Sequence, residues 1–82
     1  MEKTITVHME APMTARMASQ MAMCIAAIDA RVLLRRGNMT VNAKSLMGLV
    51  SLSPQDGDEI CIDAEGSQAE KAIEETARLL GA

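Results

Sequence analysis

One histidine, two cysteines and a few hydroxyl groups are the side chains in this sequence that could carry covalent chemistry, and their spacing decides what they can do. His8 stands in the alternating stretch KTITVHM, on the face opposite Ile5, Val7 and Met9, so an exposed strand position explains it more simply than a metal ligand or phosphoryl acceptor. Cys24 and Cys61 form no Cys-x-x-Cys motif and read as small packing residues rather than redox centres. The acidic runs DGDE and IEE fit a solvated turn and a solvated helix face better than an acid/base pair. No serine–histidine–carboxylate or histidine–cysteine arrangement can be assembled. The expectation is a protein with no catalytic residue, no cofactor and no metal site.

Binding geometry is better represented. In PMTARMAS, residues 12–19, Pro12 suits a turn, Thr14 can cap a helix and Arg16 adds a guanidinium beside the first free amides. This makes an anion cradle without a reagent. A second cap candidate is Ser45 in NAKS, preceded by Lys44; the glycine-rich run of a phosphate-binding loop is missing, so that motif is not met. Ser45 could be an ordinary cap, or it could accept a phosphate whose charge would lie beside helix N–H groups, with Lys44 drawing in an anionic partner. Met13 and Met17 near the first helix start, with Leu46, Met47 and Val50 on the second helix, offer apolar groups for a docking patch formed by the two helix entrances.

These positions need elements to hold them. Residues 3–9 read as a strand, and TARMASQMAMCIAAI as a helix with an apolar stripe of Ala18, Met21, Ala22 and Ile25. ARVLLRR and MTVNA are strands joined through Gly37 and Asn38. SLMGLVSL is a short helix weakened by Gly48; PQDGDE is a turn and EICIDA a strand. SQAEKAIEETARLLG closes the chain as a helix, with Ser67 and Glu70 at capping-box spacing and Ala69, Ile73, Ala77 and Leu80 on the inner face. The order β-α-β-β-α-β-α predicts an α+β fold over residues 1–82, a single domain with a four-stranded antiparallel sheet covered on one face by three helices. A ferredoxin-like β-α-β-β-α-β unit with an added helix is the topological alternative.

Composition narrows the partners. With 82 residues the chain has one small core, and 49% apolar content with no aromatic residue means aliphatic side chains and eight methionines must fill it. A net charge of −3 and the lack of stacking platforms argue against nucleic acid. No apolar run is long enough to cross a bilayer and no signal-peptide pattern opens the chain, so a cytoplasmic protein without membrane insertion is expected.

The sequence resembles the HPr family, the small histidine-containing phosphocarrier proteins of the bacterial sugar phosphotransferase system. The resemblance is strongest in VNAKSLMGLVSLSPQDGDEICIDAEG, residues 41–66, and looser in ARMASQMA, residues 15–22. It implies an HPr-like two-layer sandwich. Family members usually present GLHTRPA before the first helix and relay phosphate through its histidine. Here PMTARMA stands in that place: Thr14 replaces the histidine, Ala15 the threonine, Arg16 keeps the arginine and Met17 replaces the proline. The resemblance marks Ser45 as the regulatory serine, modified by a serine kinase, with Lys44, Leu46, Met47 and Val50 around it. It also implies phosphotransfer proteins or a transcriptional regulator of carbon use as partners. The expectation is a non-catalytic regulatory interaction protein. A divergent phosphocarrier using His8, or an interaction domain without phosphorylation, are the alternatives.

Overall fold

The computed structural model describes all residues 1–82. The chain runs β1 (Glu2–Thr6), α1 (Ala15–Ala26), β2 (Arg31–Arg36), β3 (Met39–Asn42), α2 (Leu46–Leu52), β4 (Glu59–Glu65) and α3 (Ala69–Leu79). The four strands form one sheet in the order β1-β4-β2-β3, with every neighbouring pair antiparallel. The last strand is therefore interior and the first is an edge. This order excludes the ferredoxin-like alternative, in which the last strand lies at an edge.

The period-2 pattern explains why the helices cover one face. Ile60, Ile62 and Ala64 of β4 point the same way as Val32 and Leu34 of β2 and Ile5 of β1, and all six are buried. Leu33, Arg35, Cys61 and Asp63 occupy the other face, where Arg31 pairs with Glu65 at 2.9 Å and Arg35 with Glu2 at 3.6 Å, all four side chains exposed. Such pairs decorate a solvated surface and add little stability. The stripe of α1 (Ala18, Met21, Ala22, Ile25) and that of α3 (Ala72, Ile73, Ala77), with Leu80 just past its end, complete an aliphatic core with Leu49 and Leu52 of α2.

Backbone capture after β1 fixes the approach to α1. The expected strand over residues 3–9 ends at Thr6 because Val7 and His8 find partners elsewhere. Val7 donates its amide to the Asp58 carbonyl at 2.9 Å and accepts from Gly57 at 2.8 Å; His8 donates to the Leu80 carbonyl at 3.0 Å, and Met9 to Asp56 Oδ1 at 3.1 Å. The end of α3 thus sits on the exit of β1. Gly81 follows at φ +80°, and a β-carbon there would overlap the His8 carbonyl oxygen.

Two expected termini shift. α1 stops at Ala26 rather than Ile28, though Ile28 stays buried, because the chain must turn into β2. α3 begins at Ala69, and Ser67 with Glu70 makes no capping box: Gln68 occupies the cap position, and its side chain makes no bond to the helix's own first amides. Ser67 and Gln68 instead clamp the α1–β2 connection. Ser67 Oγ donates to Asp29 Oδ2 at 2.6 Å, the Gln68 amide donates to the Asp29 carbonyl at 3.0 Å, and the Asp29 amide donates to Gln68 Oε1 at 2.8 Å. Near the end of α3, the Arg78 guanidinium hydrogen-bonded to Glu75 holds that carboxyl below its ordinary range and raises its own pKa. The contribution of Glu75 is present above the unfolded carboxylate range and fades as pH falls through its lowered folded value.

Gly81→Ala should destabilise the fold by roughly 2–4 kcal/mol, because it adds both left-handed backbone strain and an overlap with His8. Urea unfolding would show this as a lower midpoint at unchanged slope. The fully buried Thr76 hydroxyl has no hydrogen-bond partner. Thr76→Val, which keeps the volume and removes the orphaned group, should therefore raise stability by about 1 kcal/mol in the same assay.

Candidate functional site

The two cap positions picked out by sequence are both formed. Thr14 has extended backbone (φ −89°, ψ 164°), and its Oγ1 accepts a 3.1 Å hydrogen bond from the Met17 amide at the start of α1. Ser45 is likewise extended (φ −101°, ψ 119°), and its Oγ accepts from the Gly48 amide at 3.1 Å. Each hydroxyl thereby satisfies a donor that the first helical turn leaves free. The Arg16 side chain is exposed and forms no ion pair. It is available to an anion or a partner carboxylate.

Lys44 is placed differently. Its Nζ donates to the Ile28 carbonyl at 3.0 Å, just past the C-terminal end of α1, where a cation meets the negative end of the helix dipole. This contact also sets the arrangement of the two caps. The entrance of α2 lies against the exit of α1, so the two helix entrances are not joined in one patch as the sequence suggested. Thr14 and Ser45 stand toward opposite ends of α1, whose 12 residues span about 18 Å. Spacing along the chain cannot reveal this, because the packing of α1 on α2 decides it.

The apolar residues divide accordingly. Leu46, Met47 and Val50 are exposed on α2, Met47 to 71%. α2 itself is held close to the sheet: a β-carbon on Gly48 would come within 3.1 Å of the Asn42 carbonyl oxygen and 3.2 Å of Val41 Cβ, so glycine lets the short helix lie on β3. At its far end Ser53 turns the chain in the left-handed region (φ 45°), and Arg36 secures the return by pairing with Asp58 at 2.8 Å. Asp58 Oδ2 also accepts from the Gln55 amide at 2.9 Å.

Met13 and Met17 belong to a different surface. They line an open cavity of about 500 Å³ with Met9, Met21 and Leu79 of α3. Met23, also on this cavity and 71% exposed, was not singled out by sequence reasoning. Its position off the α1 core stripe, where a polar residue would be ordinary, was the available signal. His8 is exposed at the exit of β1, with its backbone bound to α3, and lies in neither cap. No group of three or more histidine, cysteine or carboxylate side chains is assembled anywhere.

The arrangement can bind and can present two hydroxyls. Among known proteins, the family described as "PTS HPr component phosphorylation site" matches residues 1–82. The HPr-like protein Crh of Bacillus subtilis is 30% identical over 76 residues, covering 93% of this chain and 89% of Crh. The phosphocarrier protein HPr of Treponema pallidum is 31% identical over 77 residues, covering 94% and 88%. The crystal structure of a phosphocarrier protein HPr from Bacillus anthracis superposes with a TM-score of 0.90 at 34% identity, over 98% of this chain and 95% of that one.

Replacing the cap hydroxyl in Ser45→Ala should cost about 1 kcal/mol, within the usual range for a lost N-cap, and leave the far-ultraviolet circular dichroism spectrum essentially unchanged. A full loss of folding would show that Ser45 does more than cap α2.

Proposed function

The chain belongs to the HPr family, and from that membership we propose that it is a regulatory interaction protein of bacterial carbon metabolism in which Ser45 is the phosphorylated switch and no phosphoryl group is carried. The observation that supports this most directly is the identity of the α1 cap. Where the family resemblance calls for a reacting imidazole, Thr14 supplies a hydroxyl already accepting the Met17 amide. Arg16 can stabilise an anion but is no nucleophile, and an alkyl alcohol does not provide the readily transferred phosphoramidate of a phosphohistidine. The similarity to a protein named as HPr-like alongside proteins named as phosphocarriers fits a chain that keeps the fold and changes its use.

Phosphate on Ser45 would exchange one hydroxyl acceptor for three charged oxygens at the start of α2. Its charge is favoured by the free amides there and offers an arginine or lysine of the partner a charge-assisted pair. The exposed Leu46, Met47 and Val50 beside it supply apolar area, with the flexible thioether of Met47 adapting to the partner surface. Lys44, anchored on Ile28, holds the loop before Ser45 in register for a serine kinase. Arg16, Met13 and Met17 keep a second contact zone at the other end of α1, facing phosphotransfer or transcriptional regulatory proteins. His8 is the weaker carrier candidate: its backbone amide is bound to the Leu80 carbonyl at the end of α3, and its side chain caps neither helix.

Two incubations test this reading. With the general phosphotransfer enzyme and phosphoenolpyruvate, intact-mass measurement should show no acid-labile adduct; stoichiometric adduct on His8, passed to a sugar-specific component, would overturn the regulatory reading. With the serine kinase and ATP, peptide mapping should place one acid-stable phosphate on Ser45, and Ser45→Ala should abolish it. Calorimetry against the partner should give tenfold or greater tightening on phosphorylation, reduced in Met47→Ala while phosphorylation itself proceeds. Modification at another residue, or equal affinity of both forms, would reject the switch.

A further inference from the structure

The sequence carries ten sulfur atoms, in eight methionines and two cysteines. Six of the residues that carry them line one cavity: Met9, Met13, Met17, Met21, Met23 and Cys24. The remaining lining is Gln20 and Leu79, so no carboxylate, imidazole or amine competes with sulfur there. This donor set has a chemical meaning. Thioethers and thiolates are soft ligands, poorly matched to magnesium or calcium and well matched to copper(I). Because the sequence expectation of no metal counted only histidine, cysteine and carboxylate ligands, it left this class of donor out.

We propose that the cleft between α1 and α3 binds one copper(I) ion through Cys24 and the thioethers of Met17 and Met21, with Met13 closing the site from the preceding loop. Met17, Met21 and Cys24 follow each other at i, i+4 and i+7 on α1, so successive β-carbons lie about 5–6 Å apart along one side of the helix. Three rotatable bonds let each methionine sulfur swing toward a common centre without moving the backbone. Met17 and Cys24 are exposed and give the ion an entry path, while Met21 is only 3% exposed and forms the floor. On binding, a copper–sulfur bond forms at Cys24, its S–H bond breaks, and the proton leaves to solvent; the copper remains in the +1 state and nothing is oxidised or reduced.

This site is independent of the Ser45 switch, and the test keeps them apart. Anaerobic titration of the whole protein with copper(I), in competition with bicinchoninate and with reductant present, should give one equivalent bound and an ultraviolet thiolate-to-copper band. Cys24→Ser should remove the band and weaken binding at least tenfold, and Met17→Leu with Met13→Leu, which retains apolar volume, should also weaken it at least tenfold. Circular dichroism verifies that these variants are folded. Cys61→Ser, Ser45→Ala and Met47→Leu, which lie outside the cleft, should bind as the unaltered protein does. Zinc should not displace the copper. Failure of copper(I) to compete with bicinchoninate, dependence of the band on Cys61, or unchanged affinity in the cleft variants would overturn the proposal, whatever the outcome at Ser45.

Discussion

The covered face of the sheet is closed without a single aromatic ring, and much of the structure depends on that constraint. Alanine, valine, leucine, isoleucine and methionine have limited reach, so the helices must come close to the strands to exclude water at native packing density. The close approach is visible at the backbone. Gly48 lets α2 lie on β3, and Gly81 lets the end of α3 reach His8, where a hydrogen bond to the Leu80 carbonyl joins the last helix to the first strand. At Gly81 there is no room for a β-carbon, and at Gly48 the neighbouring atoms would have to give by a few tenths of an ångström. Methionine fills the irregular gaps, and its excess spills onto the outer faces of α1 and α2.

That packing also separates the surfaces around the two helix caps. Lys44 ties the start of α2 to the exit of α1, so Thr14 and Ser45 work at opposite ends of one helix rather than within one pocket. A charge placed on Ser45 would be felt mainly by α2 and whatever docks on it, because interactions between exposed charges weaken over a Debye length of about 8–10 Å. Changes at Thr14 and at Ser45 can therefore act independently. In this chain each position holds a capping hydroxyl, and exposed apolar neighbours surround the second.

The Arg36–Asp58 pair has a related positioning role. It is half-buried, and Asp58 also accepts from the Gln55 amide, so the return from α2 to β4 is held by charge-assisted bonds in partly excluded solvent. The same turn binds the exit of β1 through Asp58, Gly57 and Asp56. One short loop thus sets the direction in which β1 leaves the sheet and, through it, the loop that carries Met13 and Thr14 to α1.

Local chemistry alone was enough for the element order, the inner faces of α1 and α3, and the caps at Thr14 and Ser45. Alternation, helical periodicity and side-chain capping act over a few residues, so a linear sequence displays them. Tertiary structure alone decided the strand order, because any antiparallel arrangement would satisfy the same alternation. It also decided the fate of Ser67, whose spacing to Glu70 satisfies a cap but whose hydroxyl is taken by Asp29, 38 residues away. It likewise split the apolar residues into an α2 surface and a sulfur-lined cleft beside α3. The physical reason is common to all three: each depends on contacts between segments remote in sequence, whose geometry is set by how the small aliphatic core closes.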